Sequence, residues 1–154
     1  RTRAKRAARE RAERRAERRA TQSADPADHR LPLAAPFDWG GTDAQFGARR
    51  QGHRHQGQDL SAALGTPVVA PHAGTVETIG YQARGAGHYV VVDGDGEDLD
   101  YVFMHLRRGS IVVAQGEQVA LGQQIGQVGS TGRSTGPHLH FETRLRGAAV
   151  APRF

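Results

Sequence analysis

Histidine is the residue type that most clearly offers chemistry in this sequence, because imidazole can bind a metal or take up a proton near neutral pH. The 154 residues include eight histidines, at positions 29, 53, 55, 72, 88, 105, 138 and 140. There are no cysteines, which excludes disulfides and thiolate metal sites. Any metal bound by this chain must therefore be held by nitrogen and oxygen ligands.

His138 and His140 form the clearest pair, separated only by Leu139. Residues i and i+2 of a β-strand face the same side, so both imidazoles would share one face while Leu139 enters the core. One imidazole could then bind a metal while the other reaches a substrate oxygen. The spacing predicts a site on that face of the strand.

His55 and Asp59 form a second candidate cluster. On a straight strand they would lie about 13 Å apart, too far to share one ion. Gly57 stands midway between them, where a bend or bulge would bring both side chains inward. Catalytic zinc commonly has three protein ligands and one open position, a count that His55, Asp59 and His140 would meet. His53 is an alternative ligand, because it precedes His55 by two residues.

His105 follows an apolar run and has two interpretations. It could be a buried histidine that serves only the core. It could also be a second imidazole that does not bind the metal and faces the site opposite His138. Two such histidines could act as general base and electrostatic stabiliser in amide hydrolysis. We expect His29, His72 and His88 not to be ligands.

The segments that must position these residues have the pattern of short strands. From about Phe37, apolar or alternating runs are divided by glycine, of which the chain has 20, and Gly94-Asp95-Gly96 is a turn signal. The pattern predicts an antiparallel all-β domain over residues 37–154, without a helix. The predicted strands are Thr66–Ala70, Gly74–Ile79, His88–Val92, Tyr101–Leu106, Ser110–Val113, Gln118–Ala120, Gln124–Val128 and His138–Leu145.

The N-terminal part has a different composition. Residues 1–20 are mostly Ala, Arg and Glu and predict a basic helix or arm over 4–20, and the polar, proline-containing residues 21–36 predict a linker. Residues 1–30 carry 11 of the 21 basic and 5 of the 16 acidic residues, a net of +6, which leaves −1 for the remainder. An alanine at every fourth position of the helix could face a coiled-coil or tethering partner.

Several stretches of residues 37–152 resemble the lysostaphin-type, or LytM-type, zinc endopeptidases that hydrolyse peptidoglycan. They occur in the family's order, and the last of them is the most specific. The stretches are Phe46-Gly-Ala-Arg49, His55-Gln-Gly-Gln-Asp59-Leu60, Gly65-Thr-Pro-Val68, Gly74-Thr-Val76, Met104-His105-Leu106, Gly122-Gln-Gln-Ile-Gly126 and Gly129-Ser-Thr-Gly-Arg-Ser-Thr-Gly-Pro-His-Leu-His-Phe-Glu142.

The resemblance implies a role for each matching residue. His55, Asp59 and His140 would bind one Zn²⁺, which favours His55 over His53, and His105 and His138 would be the catalytic pair. The implied fold is a two-sheet antiparallel β structure with a long groove across the site. Phe103 stands where the family usually has tyrosine. The residues expected to line the groove are Phe46, Arg49, Phe103, Ser134 and Thr135.

The function that follows is hydrolysis of peptide bonds in the stems or cross-bridges of bacterial peptidoglycan, in an extracellular or cell-envelope location. One alternative is a latent or non-catalytic wall-binding or regulatory module of a larger protein. Another gives the lead role to the basic arm, which would bind an anionic surface. The arm has no aromatic residue for stacking on bases, which argues against nucleic acid. The sequence contains no run of about 18 apolar residues and therefore predicts no membrane span in this chain.

Overall fold

The N-terminal helix is the only α-helix in the computed structural model, which describes residues 2–21 and 30–152. Helix α1 spans Thr2–Thr21, which confirms the predicted helix. Alanine, arginine and glutamate are strong helix formers, and Arg9 and Glu13 form an i,i+4 ion pair at 3.0 Å. No helix within the described residues is long and apolar enough to cross a membrane.

The rest of the described chain is mostly antiparallel β structure, as the sequence predicts. One turn of 3-10 helix, Thr42–Ala44, precedes the strands. The strands are β1 (Arg49–Arg50), β2 (His53–Arg54), β3 (Gln58–Ser61), β4 (Pro67–Val69), β5 (Gly74–Gln82), β6 (Gly87–Gly94), β7 (Leu99–Leu106), β8 (Gln118–Val119), β9 (Gln124–Gln127), β10 (His138–Leu145) and β11 (Ala148–Val150).

Seven of the eight predicted strands correspond to β4–β10. The remaining prediction, a strand over Ser110–Val113, is wrong. Residues 110–113 are irregular because Ser110 closes a turn: its amide and hydroxyl both donate to the carbonyl of Arg107. Val112 in the same segment is 63% exposed, so the run of branched residues does not mark a buried strand. The sequence also missed β1, β2, β3 and β11, which are very short or polar.

A seven-stranded sheet carries the order β11-β10-β7-β6-β5-β8, and β3 joins β10 beside β11. Strand β10 therefore has β7 along one edge, and β3 followed by β11 along the other. The pairs β4–β9 and β1–β2 form two small additional sheets. This arrangement makes β10 an interior strand that is held on both sides at His140, while His138 pairs with Ser61 of β3 on one side and with Gly129 on the other.

The core joins the seven-stranded sheet to the β4–β9 pair. Leu139 and Phe141 of β10 are fully buried in it, and the ring of Phe141 lies 5.5 Å from that of Phe103, centroid to centroid. Leu33, from the segment predicted as a linker, is also buried there, and the amide of Val69 donates to Pro32. Residues 22–29 of that segment lie outside the described residues.

Candidate active site

Strand β10 presents His138 and His140 on the face opposite the core, because side chains alternate along it. The neighbouring strand β3 is paired so that Asp59 stands directly across from His140. Residues paired in this way on adjacent strands face the same side of the sheet. The pairing register therefore brings the Asp59 carboxylate to His140, with Oδ1 2.9 Å from the His140 Nδ1.

His55 completes a cluster of three potential metal ligands. Its Nε2 lies 3.0 Å from the His140 Nδ1 and 3.2 Å from the Asp59 Oδ1. A tetrahedral zinc site with metal–ligand distances of about 2.0–2.1 Å has edges of roughly 3.3 Å between ligand atoms. The two nitrogens and one oxygen therefore fit the donor set and the dimensions of a zinc site.

The ring nitrogens of His55 and His140 that face away from the cluster also have hydrogen-bond partners. Nδ1 of His55 donates to the carbonyl of Gln45 at 2.9 Å, which leaves Nε2 with its lone pair toward the cluster. Nε2 of His140 contacts Oε1 of Glu142 at 2.9 Å, and Arg144 donates from Nη2 to the other oxygen of Glu142 at 2.7 Å. Such outer partners fix the ring orientation of metal-binding histidines. Sequence analysis missed Gln45 and Glu142, although Glu142 follows His140 at the same i+2 spacing.

Gly57 lies at a bend between β2 and β3, as its position between His55 and Asp59 suggested. A Cβ at this position would lie 2.5 Å from the carbonyl oxygen of Phe141 and 2.8 Å from Nε2 of His140. The glycine is therefore needed for close approach to β10. Without it, the His140 side chain could not occupy the space where it meets Glu142.

The charges of the cluster depend strongly on one another. Burial lowers the pKa of His140, but hydrogen bonds and charge from Asp59 and Glu142 outweigh it and raise the pKa to about 9. Burial also raises the pKa of Asp59, yet the hydrogen bonds with His140 and His55 move it well below its usual range. The pKa of Glu142 is lowered against the effect of burial by His140 and Arg144. Without a metal, a protonated His140 is thus stabilised between two carboxylates.

His105 reaches the same face through an irregularity in β7. His88 pairs with Leu106, and Val90 pairs with Phe103. Two residues of β7, Met104 and His105, therefore stand opposite the single residue Tyr89 of β6, and this mismatch is a β-bulge in β7. His105 adopts a φ of 63°, in the left-handed region that non-glycine residues rarely occupy. Its ring lies 4.7 Å from that of His138, centroid to centroid. Strained backbone of this kind is often found at functional sites.

Both imidazoles of this second pair are oriented by backbone carbonyls. Nδ1 of His105 donates to Thr131 at 2.7 Å, and Nδ1 of His138 donates to Gly136 at 2.8 Å. In the neutral rings, this leaves each Nε2 as a proton acceptor. Burial lowers the pKa of His105 to about 4, against the opposing effect of the Thr131 hydrogen bond, so His105 is neutral at pH 7.

The three ligand candidates and the second histidine pair border one open cleft of about 710 Å³. Of the residues predicted to line the groove, Ser134 and Thr135 border this cleft, whereas Phe46 and Arg49 do not. Phe103 is fully buried in the core and does not line it either. Four further lining residues, Arg50, Gln51, Gly132 and Arg133, were not among the predicted site residues, and His53 was predicted only as an alternative ligand.

The other described histidines are not part of the three-ligand cluster. His53, the alternative ligand, lines the cleft, but it is exposed and its Nδ1 contacts the carbonyl of Gln51 at 3.2 Å. His72 is buried and donates to Ala73, and His88 stacks on Tyr81. His29 lies outside the described residues.

Proteins with related sequences include peptidases. An uncharacterized metalloprotease from Haemophilus influenzae is 48% identical over 98 residues, which cover 64% of this chain and 20% of that protein. The peptidoglycan DD-endopeptidase ShyC from Vibrio cholerae is 37% identical over 127 residues, which cover 79% of this chain and 28% of that protein. The chain thus spans less than a third of the length of either relative.

Solved structures of two peptidases share the fold. The catalytic domain of lysostaphin from Staphylococcus simulans superposes with a TM-score of 0.63 at 34% identity, covering 70% of this chain and 85% of that one. A zinc-containing peptidase from Vibrio cholerae gives 0.61 at 30% identity, covering 83% and 37%. The model of peptidase family M23 matches residues 53–152, which include all three ligand candidates and the second histidine pair. The chain therefore belongs to peptidase family M23.

Proposed function

We propose that this chain is a zinc-dependent endopeptidase that hydrolyses peptide bonds in bacterial peptidoglycan, in the cell envelope or outside the cell. The observation that carries the proposal is the convergence of His55, Asp59 and His140 within 3.2 Å of one another beside His105 and His138. The peptidoglycan substrate is supported by family membership and by the name of the ShyC relative.

In this proposal His55, Asp59 and His140 hold one zinc ion. Bound zinc polarises the scissile carbonyl and lowers the pKa of water, to about 7 in carbonic anhydrase and metalloproteases. Gln45 and Glu142 orient the two ligand imidazoles from behind. Three protein ligands bordering the cleft would suit a catalytic rather than a structural zinc ion, which commonly has four protein ligands.

The second histidine pair handles protons and developing charge. His105 is neutral at pH 7 and has a free Nε2, so it takes the proton from the attacking water. His138 then stabilises the oxyanion or gives a proton to the leaving amine, since its ring stands beside that of His105 and its Nε2 lies 3.7 Å from Oδ1 of Asp59. Together they provide the base and the acid that amide hydrolysis needs.

The alternative of a non-catalytic wall-binding module is not favoured, because every ligand and proton-transfer candidate is present. The test is mass spectrometry of fragments released from purified peptidoglycan by the zinc-loaded chain, with His140→Ala as control. We expect new amino termini with the wild type only. No release by a folded, zinc-loaded wild type would overturn the proposal and favour the binding module.

A further inference from the structure

Helix α1 carries a concentration of positive charge that the hydrolysis of peptide bonds does not use. Its 20 residues, Thr2–Thr21, include nine arginines and lysines against three glutamates, a net charge of +6. The remainder of the chain has a net charge of −1. The positive charge of the protein therefore belongs to this one element.

The basic side chains of the helix are exposed to solvent. The side chains described are those of residues 3–14, and all but one of them are exposed. Two i,i+4 ion pairs, Arg6 with Glu10 and Arg9 with Glu13, offset part of the charge, but their side chains are 58–85% exposed. Exposed pairs contribute little and are screened by salt, so an anionic ligand can compete for these arginines.

One face of the helix is turned toward the domain and the opposite face toward solvent. Ala7, the half-buried exception, and Arg11 border a groove of about 400 Å³ between the helix and the edge strand β8. The Arg11 guanidinium lies over Gly116, where a Cβ would stand 3.3 Å from it. With about 3.6 residues per turn, Lys5 and Arg9 lie on the far side of the helix from this face.

The helix and the candidate active site lie at different parts of the sheet. Strand β8 is four strands from β10 in the sheet order, a distance of roughly 19 Å at about 4.8 Å per strand. None of the described residues that line the cleft comes from α1. A ligand bound along the solvent face of the helix would therefore leave the cleft open.

We propose that α1 is a docking site for a linear polymer with a phosphodiester in each repeat, and that it holds the chain on an envelope that carries such a polymer. The envelope location rests on the proposed function, whereas the binding itself does not. Arginine donors match phosphate oxygens, and a helix of 20 residues, about 30 Å long, can contact several repeats.

The composition of the helix favours a polymer over the other anionic partners. Alanine is its one apolar residue type, so it lacks the large apolar side chains with which an interfacial helix enters a bilayer. It also has no aromatic residue on which bases could stack. Binding must therefore come from charge, and a flexible polymer can follow the helix where a flat membrane meets only one face.

The test measures binding of the zinc-loaded chain to fluorescently labelled poly(glycerol phosphate) by anisotropy. Affinity should fall about 20-fold between 50 and 200 mM salt, as expected for about three neutralised phosphates on a flexible chain. Vesicles of equal parts phosphatidylglycerol and phosphatidylcholine, compared at the same concentration of anionic phosphate, should bind more weakly. Absence of binding to the polymer, or tighter binding to the vesicles, would overturn the inference.

The variant Lys5→Gln with Arg9→Gln removes two charges from the solvent face and should weaken polymer binding about tenfold at 50 mM salt. Arg84→Gln with Arg108→Gln removes the same charge from two exposed positions outside the helix and should leave binding unchanged. Equal losses in the two variants would overturn the assignment to α1. Cleavage of soluble peptidoglycan fragments by the helix variant should match the wild type, and a wild type that binds the polymer without cleaving would overturn only the proposed function.

Discussion

Replacing Glu142 by glutamine isolates the contribution of the second layer of the site. Oε1 of Glu142 lies 2.9 Å from Nε2 of His140, and its other oxygen accepts from Nε and Nη2 of Arg144 at 2.9 and 2.7 Å. The glutamine has the same shape and can still accept one hydrogen bond. It lacks the charge, however, and its NH₂ group cannot accept from Arg144.

The expected loss in zinc affinity is about 10–100-fold, the usual range for an outer partner of a metal-bound histidine. This corresponds to about 1.4–2.7 kcal/mol. The lower end is expected, because the amide oxygen can still orient His140 and because Arg144 is about one-third exposed, so that solvent screens its charge. The affinity is measured by competition with a fluorescent zinc chelator, and cleavage is measured at saturating zinc.

Asp98→Asn is the matched control, because it makes the same chemical change in an exposed pair with Arg146. Exposed pairs contribute little, so zinc affinity and thermal stability should not change measurably. A Glu142→Gln variant that bound zinc as tightly as the wild type would refute the assignment of Glu142 as a positioning residue for His140.

Two further changes test the geometry of the site. Gly57→Ala places a methyl group against Phe141 and His140 and should sharply reduce zinc content at a fixed zinc concentration, measured by elemental analysis, while Gly136→Ala, where a Cβ meets nothing within 4 Å, should retain zinc. Normal zinc content in the Gly57 variant would contradict the close-approach argument. His105→Ala and His138→Ala should each keep zinc and lose about 10²–10⁴-fold in cleavage rate, and full activity in either would remove that residue from the mechanism.

The sequence predicted those parts of the site that depend on regular β structure. The alternation of His138, Leu139 and His140 correctly placed one side chain in the core and two on the other face, because β10 pairs on both edges without a register shift. The bend at Gly57 was also expected. What the spacing could not provide is the pairing register, which alone places Asp59 across from His140.

Phe103 does not line the cleft because the backbone of β7 is irregular. Phe103 and His105 would share a face on a regular strand, but the bulge at Met104–His105 and the left-handed φ of His105 separate them. Phe103 therefore packs in the core while His105 reaches the cleft. Similarly, the arginine that lines the cleft is Arg50 rather than Arg49, and a shift of one residue along a strand exchanges its faces. Two-residue strands such as β1 carry too little pattern to fix that choice.

The raised pKa of His140 predicts how zinc binding depends on pH. The folded-state pKa of His140, about 9, lies above the ordinary value of 6.5. Below pH 9 the ring is therefore mostly protonated, with one N–H directed at Asp59 and the other at Glu142. Zinc needs the neutral ring and must displace this proton. Apparent affinity for zinc should therefore rise about tenfold per pH unit from pH 7 and level off near pH 9, with one proton released per zinc at pH 7.

Chelator competition at several pH values measures the slope of zinc affinity against pH, and calorimetry in buffers of different ionisation enthalpy counts the released proton. A flat profile would mean that His140 is already neutral at pH 7 in the metal-free protein, and that Asp59 and Glu142 do not act on it together.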